Sequence, residues 1–349
     1  MKKNFVKYEN LLQFTRNVLK KVGLDKYSRD AVSIGLCEAS LRGVDSHGIR
    51  LLEHYLNSSL SKRKNSNPNY KINKKYPSIV TIDADNAFGM AAGFKAIDIG
   101  TKIATKQGVC SIFVKNSSHA GCMASMALRA ARKGYICYAF TNADSLMNTF
   151  GGISNLFGTN PICFAAPRLE KEPFCLDMAT SNISWNHILE LKANNKKIAG
   201  DFAVNKKGKI SYDPNDVTGL TSIGGYKGFG LAAMVEVLTG LYNGTNFSYQ
   251  IPAMFTSSIN IKRKVSQFYL LMKIDGSIPK KLFKTRMQEL TNKIRNQKPK
   301  KNNTVMAPND PQIAFEKDRL KKGIPLNNSV YQMLKRIEHK YNCKLNEKK

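Results

Sequence analysis

The segment Val44-Asp45-Ser46-His47-Gly48-Ile49-Arg50 sets an imidazole and a guanidinium three residues apart. An imidazole titrates near neutrality and can release or accept a proton within one turnover. A guanidinium fork can hold a carboxylate through two parallel hydrogen bonds. Together they suit an acid–base step on a small carboxylate-bearing substrate. A helix beginning near Ser46 would carry His47 and Arg50 on one face, with Ser46 able either to cap that helix or to bond substrate. A capping histidine beside a surface arginine would use the same residues, and spacing alone leaves both readings open.

Four further stretches have chemical character. His119, in Asn116-Ser117-Ser118-His119-Ala120-Gly121, follows a strand-like run, where α/β folds present ligand-binding side chains; a partnerless loop histidine fits there equally. Gly151-Gly152 and Phe157-Gly158-Thr159-Asn160-Pro161 are turn-rich and feed a strand. Leu176-Asp177-Met178-Ala179-Thr180-Ser181-Asn182 ends a strand and opens a helix, where free amides and two hydroxyls suit a pyrophosphate or plain capping. Gly224-Gly225-Tyr226-Lys227-Gly228-Phe229-Gly230-Leu231 leads into an apolar helix. There Tyr226 could stack on a ring and Lys227 neutralise a phosphate, or the run is a glycine-rich helix entry with a solvated lysine.

Helical periodicity runs over 8–22, 28–41 and 46–60, and the Lys-, Asn- and Pro-rich stretch 61–76 reads as a loop. From residue 78 the texture alternates. Strand-like runs cover 78–82, 109–114, 135–141, 162–166, 174–176 and 268–274; helix-like runs cover 91–107, 123–133, 184–192, 229–241 and 279–294. Residues 311–322 and 329–341 return to helix. This order predicts an α/β domain over 77–304 and a helical domain formed by both chain ends, 1–76 and 305–349. No strand leads into Gly-x-Gly-x-x-Gly, so the common dinucleotide fingerprint is missing.

Composition narrows the classes. The 349 residues are 42% hydrophobic, as in a globular protein, and no apolar run approaches the roughly 20 residues that cross a bilayer. The polar start, Met-Lys-Lys-Asn, lacks an apolar signal stretch, which points to the cytoplasm. Seven scattered cysteines with no Cys-x-x-Cys pair suggest buried thiols and no metal site. The net charge of +30 comes from dispersed lysines among asparagines, with no aromatic-interleaved basic stripe. We therefore expect no nucleic-acid partner, only a positive field that favours anionic ligands.

Taken together, the motifs resemble the malate/L-lactate dehydrogenase family, whose members lack the ordinary dinucleotide fold. The resemblance rests on the run 45–50, Ser118-His119-x-Gly121, Gly158-Thr159-Asn160-Pro161, Asp177-Met178-Ala179-Thr180-Ser181, Asp213-Pro214, the run 224–231 and Gly323-Ile324-Pro325-Leu326. It implies a non-Rossmann α/β fold with a mixed-sheet cofactor domain, NAD or NADP as cofactor, a homodimer, and a site in the cleft between domains. It implies hydride transfer between nicotinamide and a small 2-hydroxy/2-oxo acid, malate- or lactate-like, without a metal. By resemblance His47 is the proton donor, Ser46 and Arg50 are substrate-pocket positions, and His119 lines the site. Cofactor positions fall on Asp177, Met178, Ala179, Thr180, Ser181, Asn182, Ile183, Tyr226, Lys227, Asn309 and Asp310.

The chain also departs from the family pattern. Asn205 stands where a carboxylate is common, removing a negative partner expected near the site. Asn309, in Pro308-Asn309-Asp310, replaces a glycine that would allow close backbone approach. Ser222, Ser266-Gln267 and Asn148-Thr149-Phe150 replace a proline, a Gly-His pair and an Ala-Pro element. These changes leave as alternatives a reductase of a cyclic imine or diketo acid in the same fold, and a catalytically impaired cofactor-binding relative.

Overall fold

The computed structural model describes residues 4–346, which form ten α-helices and three sheets. The main sheet has seven strands in the spatial order β2 (Lys71–Tyr76), β3 (Ile79–Asp83), β4 (Val109–Ser117), β12 (Val265–Lys273), β5 (Tyr135–Thr141), β8 (Ile162–Ala166) and β9 (Phe174–Met178). Only β3 and β4 run parallel, joined by α4 (Gly89–Gln107); every other pair is antiparallel. The sheet is thus mixed, as expected. Central β12 is apolar on both faces because both are covered. Phe268 meets Phe113 and Phe140 beneath Val235, while Tyr269 and Leu271 join the larger core on the other side.

A four-stranded sheet of β10 (Ala203–Val204), β11 (Gly219–Leu220), β6 (Met147–Asn148) and β7 (Asn155–Phe157) stands beside it. α5 (Ala124–Arg132), α6 (Trp185–Ala193), α7 (Tyr226–Glu236) and α8 (Lys280–Arg295) complete this part of the chain. The remaining helices come from the two ends: α1 (Tyr8–Lys21), α2 (Lys26–Leu41), α3 (Leu52–Leu60), α9 (Asp310–Lys322) and α10 (Asn328–Tyr341). A short antiparallel pair, β1 (Asn4–Val6) with β13 (Ile324–Leu326), ties those ends together. Leu11, Phe14 and Leu36 share one buried core with Leu334, Ile337, Val80, Ile82 and Leu271.

Three local expectations are corrected. Residues 61–76 are not all loop, since β2 pairs with β3; its six exposed residues include three lysines, which shield a free sheet edge from further pairing. Residues 46–60 are not one helix. Single 3-10 turns over Asp45–His47 and Ile49–Leu51 flank an extended Gly48 with ψ −151°, and α3 begins only at Leu52. The glycine-rich run does not merely precede its helix: α7 begins at Tyr226 and continues into a π-helical turn, Val237–Leu241.

Candidate active site

His47 closes a tight turn in which its own N–H donates to the Val44 carbonyl at 3.0 Å. That turn is clamped from both chain ends. Gly48 lies so close to α2 that a Cβ would collide with Ser40 Oγ, which instead accepts the Ile49 N–H at 2.9 Å. From α9, Arg319 donates to both carboxylate oxygens of Asp45, at 2.6 and 2.9 Å. Asn186 of α6 donates to the Ser46 carbonyl at 3.0 Å, and Ser46 Oγ lies 2.9 Å from His47 Nδ1. The break at Gly48 means that His47 and Arg50 do not share a helix face.

His119 is held from the opposite side. The loop after β4 presses on the first turn of α4, where a Cβ on Gly89 would strike the Ser118 and His119 carbonyls. Ser118 Oγ accepts the Gly89 N–H at 3.0 Å. The buried Tyr55 hydroxyl lies 2.7 Å from His119 Nδ1. These constraints bring the two imidazoles together, stacked with 5.7 Å between centroids and 17° between planes.

Both histidines and Ser46 line a cavity of about 770 Å³, in the size range of small-molecule sites. Burial first, then the Arg50 charge, pushes the His47 imidazole down to about 4. Burial, then the charges of His47, Arg263 and Lys64, holds His119 well below its ordinary value. Each is therefore a neutral base at pH 7. Arg50 is not among the lining residues; the guanidinium facing this cavity is Arg263, with Asn142, Asp144, Trp185 and Phe255 also on the wall. The sequence reading missed these residues. Asn142 and Asp144 had a signal, lying just past the carboxyl end of β5; Arg263, in a lysine-rich loop, had none.

A second cavity of about 360 Å³ adjoins the first, Val44, Cys122 and Asp177 belonging to both walls. Of the expected cofactor positions, Asp177, Met178 and Ala179 line the larger cavity and Asn309 the smaller. Asp177 accepts the Ala124 N–H at 2.7 Å, so it caps α5 between the two hollows. The other four positions of that run are spent on structure. The Thr180 and Asn182 N–H groups donate to the Thr159 and Thr221 carbonyls, and Ser181 Oγ donates to the Ile183 carbonyl. The expected free amides at a helix start are absent because α6 begins later, capped by Ser184. Tyr226 and Lys227 are exposed and outside both walls, with the Tyr226 ring set edge-on to Phe150. Asp310 is paired with Arg295 at 2.7 Å and holds the loop through the Ala307 N–H at 2.9 Å.

The departures from the family pattern have local explanations. Asn309 adopts φ +82°, the left-handed conformation that asparagine tolerates best after glycine, while its side chain joins Arg42 to the Pro173 carbonyl. Asn205 lies away from both walls; its Oδ1 accepts the Lys207 and Lys209 N–H groups, making a turn, so no negative partner is lost from the site. Gln267 is fully buried and satisfied by Gly89, Ser117 and Tyr269. Asn160 bonds Ala143, Ala232 and the buried Glu236, which fixes neighbouring Thr159 and Pro161 on the wall.

The chain and its fold are similar to known proteins. The chain is 32% identical over 347 residues to malate dehydrogenase of Pyrococcus abyssi, covering 96% of this chain and 94% of that one. It is 29% identical over 336 residues to L-sulfolactate dehydrogenase of Methanocaldococcus jannaschii, covering 95% and 96%. Its fold matches the crystal structure of malate dehydrogenase from Entamoeba histolytica with a TM-score of 0.93 at 24% identity, covering 98% of this chain and 99% of that one. Residues 6–335 match the family model for malate/L-lactate dehydrogenases, and the chain therefore belongs to that family of oxidoreductases.

Proposed function

We propose that this protein is an NAD- or NADP-dependent oxidoreductase that interconverts a small 2-hydroxy acid and its 2-oxo acid, malate- or lactate-like, with His47 as the proton donor and acceptor. The observation that carries the reading is the pair of neutral, stacked imidazoles on the wall of a cavity of ligand size. Two joined hollows, about 770 and 360 Å³, suit a two-part ligand such as a dinucleotide. Met178, Ala179 and Pro161 would flank its nicotinamide half; Leu176, Met306, Pro308 and Asn309 would flank its adenosine half.

The bound cofactor would accept or supply the hydride. The chain's own work is then positional and acid–base. In the oxidative direction the neutral His47 ring takes the hydroxyl proton as the C2–O bond gains double-bond character. In the reductive direction the imidazolium returns it. Ser46, bonded to Nδ1, fixes the ring's orientation, and His119, tied to Tyr55, supplies the facing wall. The names of the relatives, malate and L-sulfolactate dehydrogenase, support a 2-hydroxy acid as substrate. Exposed apolar side chains along α7 and just beyond it, Leu231, Met234, Val237 and Leu241, support a homodimer. Among the described residues no helix is long and apolar enough to cross a membrane.

Mixing the purified protein with NADH or NADPH and a panel of 2-oxo acids, and following nicotinamide absorbance, tests the proposal. Turnover of at least one acid with one cofactor is expected. Binding of neither cofactor, read by nicotinamide fluorescence, overturns it.

A further inference from the structure

Three basic side chains are buried at the inner end of the larger cavity, Arg263 on its wall and Arg63 and Lys64 around a small hollow behind it, and the carboxylate facing them is Asp144. Arg63 is fully occupied, donating to the Ile261, Met254 and Ala253 carbonyls at 2.9 Å each. Arg263 donates from Nε to the Pro252 carbonyl at 2.8 Å and from Nη2 to Asp144, which leaves Nη1 without an acceptor among the described residues. Lys64 Nζ has no hydrogen-bond partner among the described residues and stands 3.6 Å from the Tyr55 ring centroid. Arg263 and His119 line both the large cavity and a small hollow whose other walls include Lys64, His54 and Ser118.

A buried cation without a partner is costly, and a site that keeps one gains when an anion arrives. We propose that Arg263, backed by Lys64, receives the carboxylate of the substrate at this end of the cavity. Arg50, off the cavity wall, does not grip it. The proposal rests on the oxidoreductase reading and adds to it the binding group and the substrate's orientation: carboxylate toward Arg263, C2 oxygen toward His47. Arg263 and His119 share the walls of both hollows, and His119 is stacked on His47, so a small acid lying along the His119 ring would face both groups.

The test compares a 2-oxo acid with its uncharged methyl ester. Arg263→Met is combined with Asp144→Asn so that no orphaned carboxylate stays buried. Lys64→Met is made separately and removes no hydrogen bond. We expect the double variant to lose roughly 10- to 100-fold of the wild-type preference for acid over ester in kcat/KM, chiefly through KM, and Lys64→Met to lose roughly threefold to tenfold. Titration with oxamate in the presence of NADH, followed by calorimetry, reads the same subsite without turnover and should weaken in parallel. An unchanged acid/ester ratio together with unchanged oxamate affinity overturns the proposal. A wild-type protein that binds NADH yet reduces neither acid nor ester overturns the oxidoreductase reading instead. Arg263 is then judged by oxamate: weaker binding in the variants sustains the anion site, and equal binding ends it.

Discussion

The Tyr55 hydroxyl lies 2.7 Å from His119 Nδ1, at the foot of a stack that places His119 against His47. Burial holds the phenol well above its ordinary titration, so it stays protonated and can hold the ring at all working pH values. Tyr55→Phe keeps the packing of the ring and removes that one bond. We expect kcat/KM to fall about tenfold with little change in cofactor affinity, which steady-state kinetics and NADH titration would separate. Unaltered kcat/KM would remove Tyr55 from the positioning of His119.

His47→Ala should lower kcat by about 10²- to 10⁴-fold, the usual worth of a positioned acid–base group. NADH affinity should stay near wild type, because the proposed cofactor positions on β9 and at Asn309 are untouched. Near-normal turnover in this variant would exclude the proposed proton transfer.

The depressed titration of His47 fixes the direction of two pH effects. With the imidazole near 4 in the folded state against an ordinary 6.5, the unfolded chain binds protons first as pH falls. Stability is therefore fully present above about pH 6.5 and drains as pH falls toward about 4; His54, pushed down to about 3 by burial and the Lys64 charge, extends the loss. Urea midpoints should hold level from pH 7.5 to about 6.5 and fall from there to pH 4.5. In catalysis, kcat/KM for hydroxy-acid oxidation should hold level down to about pH 5, while that for 2-oxo-acid reduction should drop about tenfold per unit as pH rises from 5 to 8.

Asn309 serves both backbone and side chain. Asn309→Ala forces a Cβ-bearing residue without a local polar group into φ +82° and removes the bonds to Arg42 and the Pro173 carbonyl. A loss of about 2–4 kcal/mol is expected from urea unfolding, together with weaker cofactor binding. Asn309→Gly should recover only about 1 kcal/mol of this, the backbone share.

Arg63 pins the 253–261 loop through three carbonyls. Arg63→Met leaves those acceptors without donors and should cost about 2–5 kcal/mol. Limited proteolysis should then cut first within that loop.

Much of the fold was legible because its signal is local. The switch from helical to alternating period at residue 78 marks the start of β3, and the glycine at 108 ends α4 in the left-handed conformation. His47 and His119 stood out because both sit beside glycines and hydroxyls. The parts that were not legible depend on distant partners. β2 is written in lysine and asparagine because it needs only one neighbour, and such a segment looks like a loop until β3 lies beside it. Thr180 to Ile183 offered the hydroxyls and amides of a phosphate site, yet Thr159 and Thr221 consume the amides. Arg50 carried the expected spacing, whereas Arg263 lies more than two hundred residues from His47 and reaches the cavity only because Arg63 and Asp144 hold its loop.

The pairing of Asn4–Val6 with Ile324–Leu326 sets an order of events during synthesis. The first helices leave the ribosome long before the strand and helices that cover them exist, and their apolar faces, Leu11 and Phe14 among them, must wait for the last tenth of the chain. The turn that carries His47 is braced by Arg319 from that same late segment. A chain truncated before α9 would therefore keep the strands of its main sheet while the turn that carries His47, the proposed proton-transfer group, lost its brace.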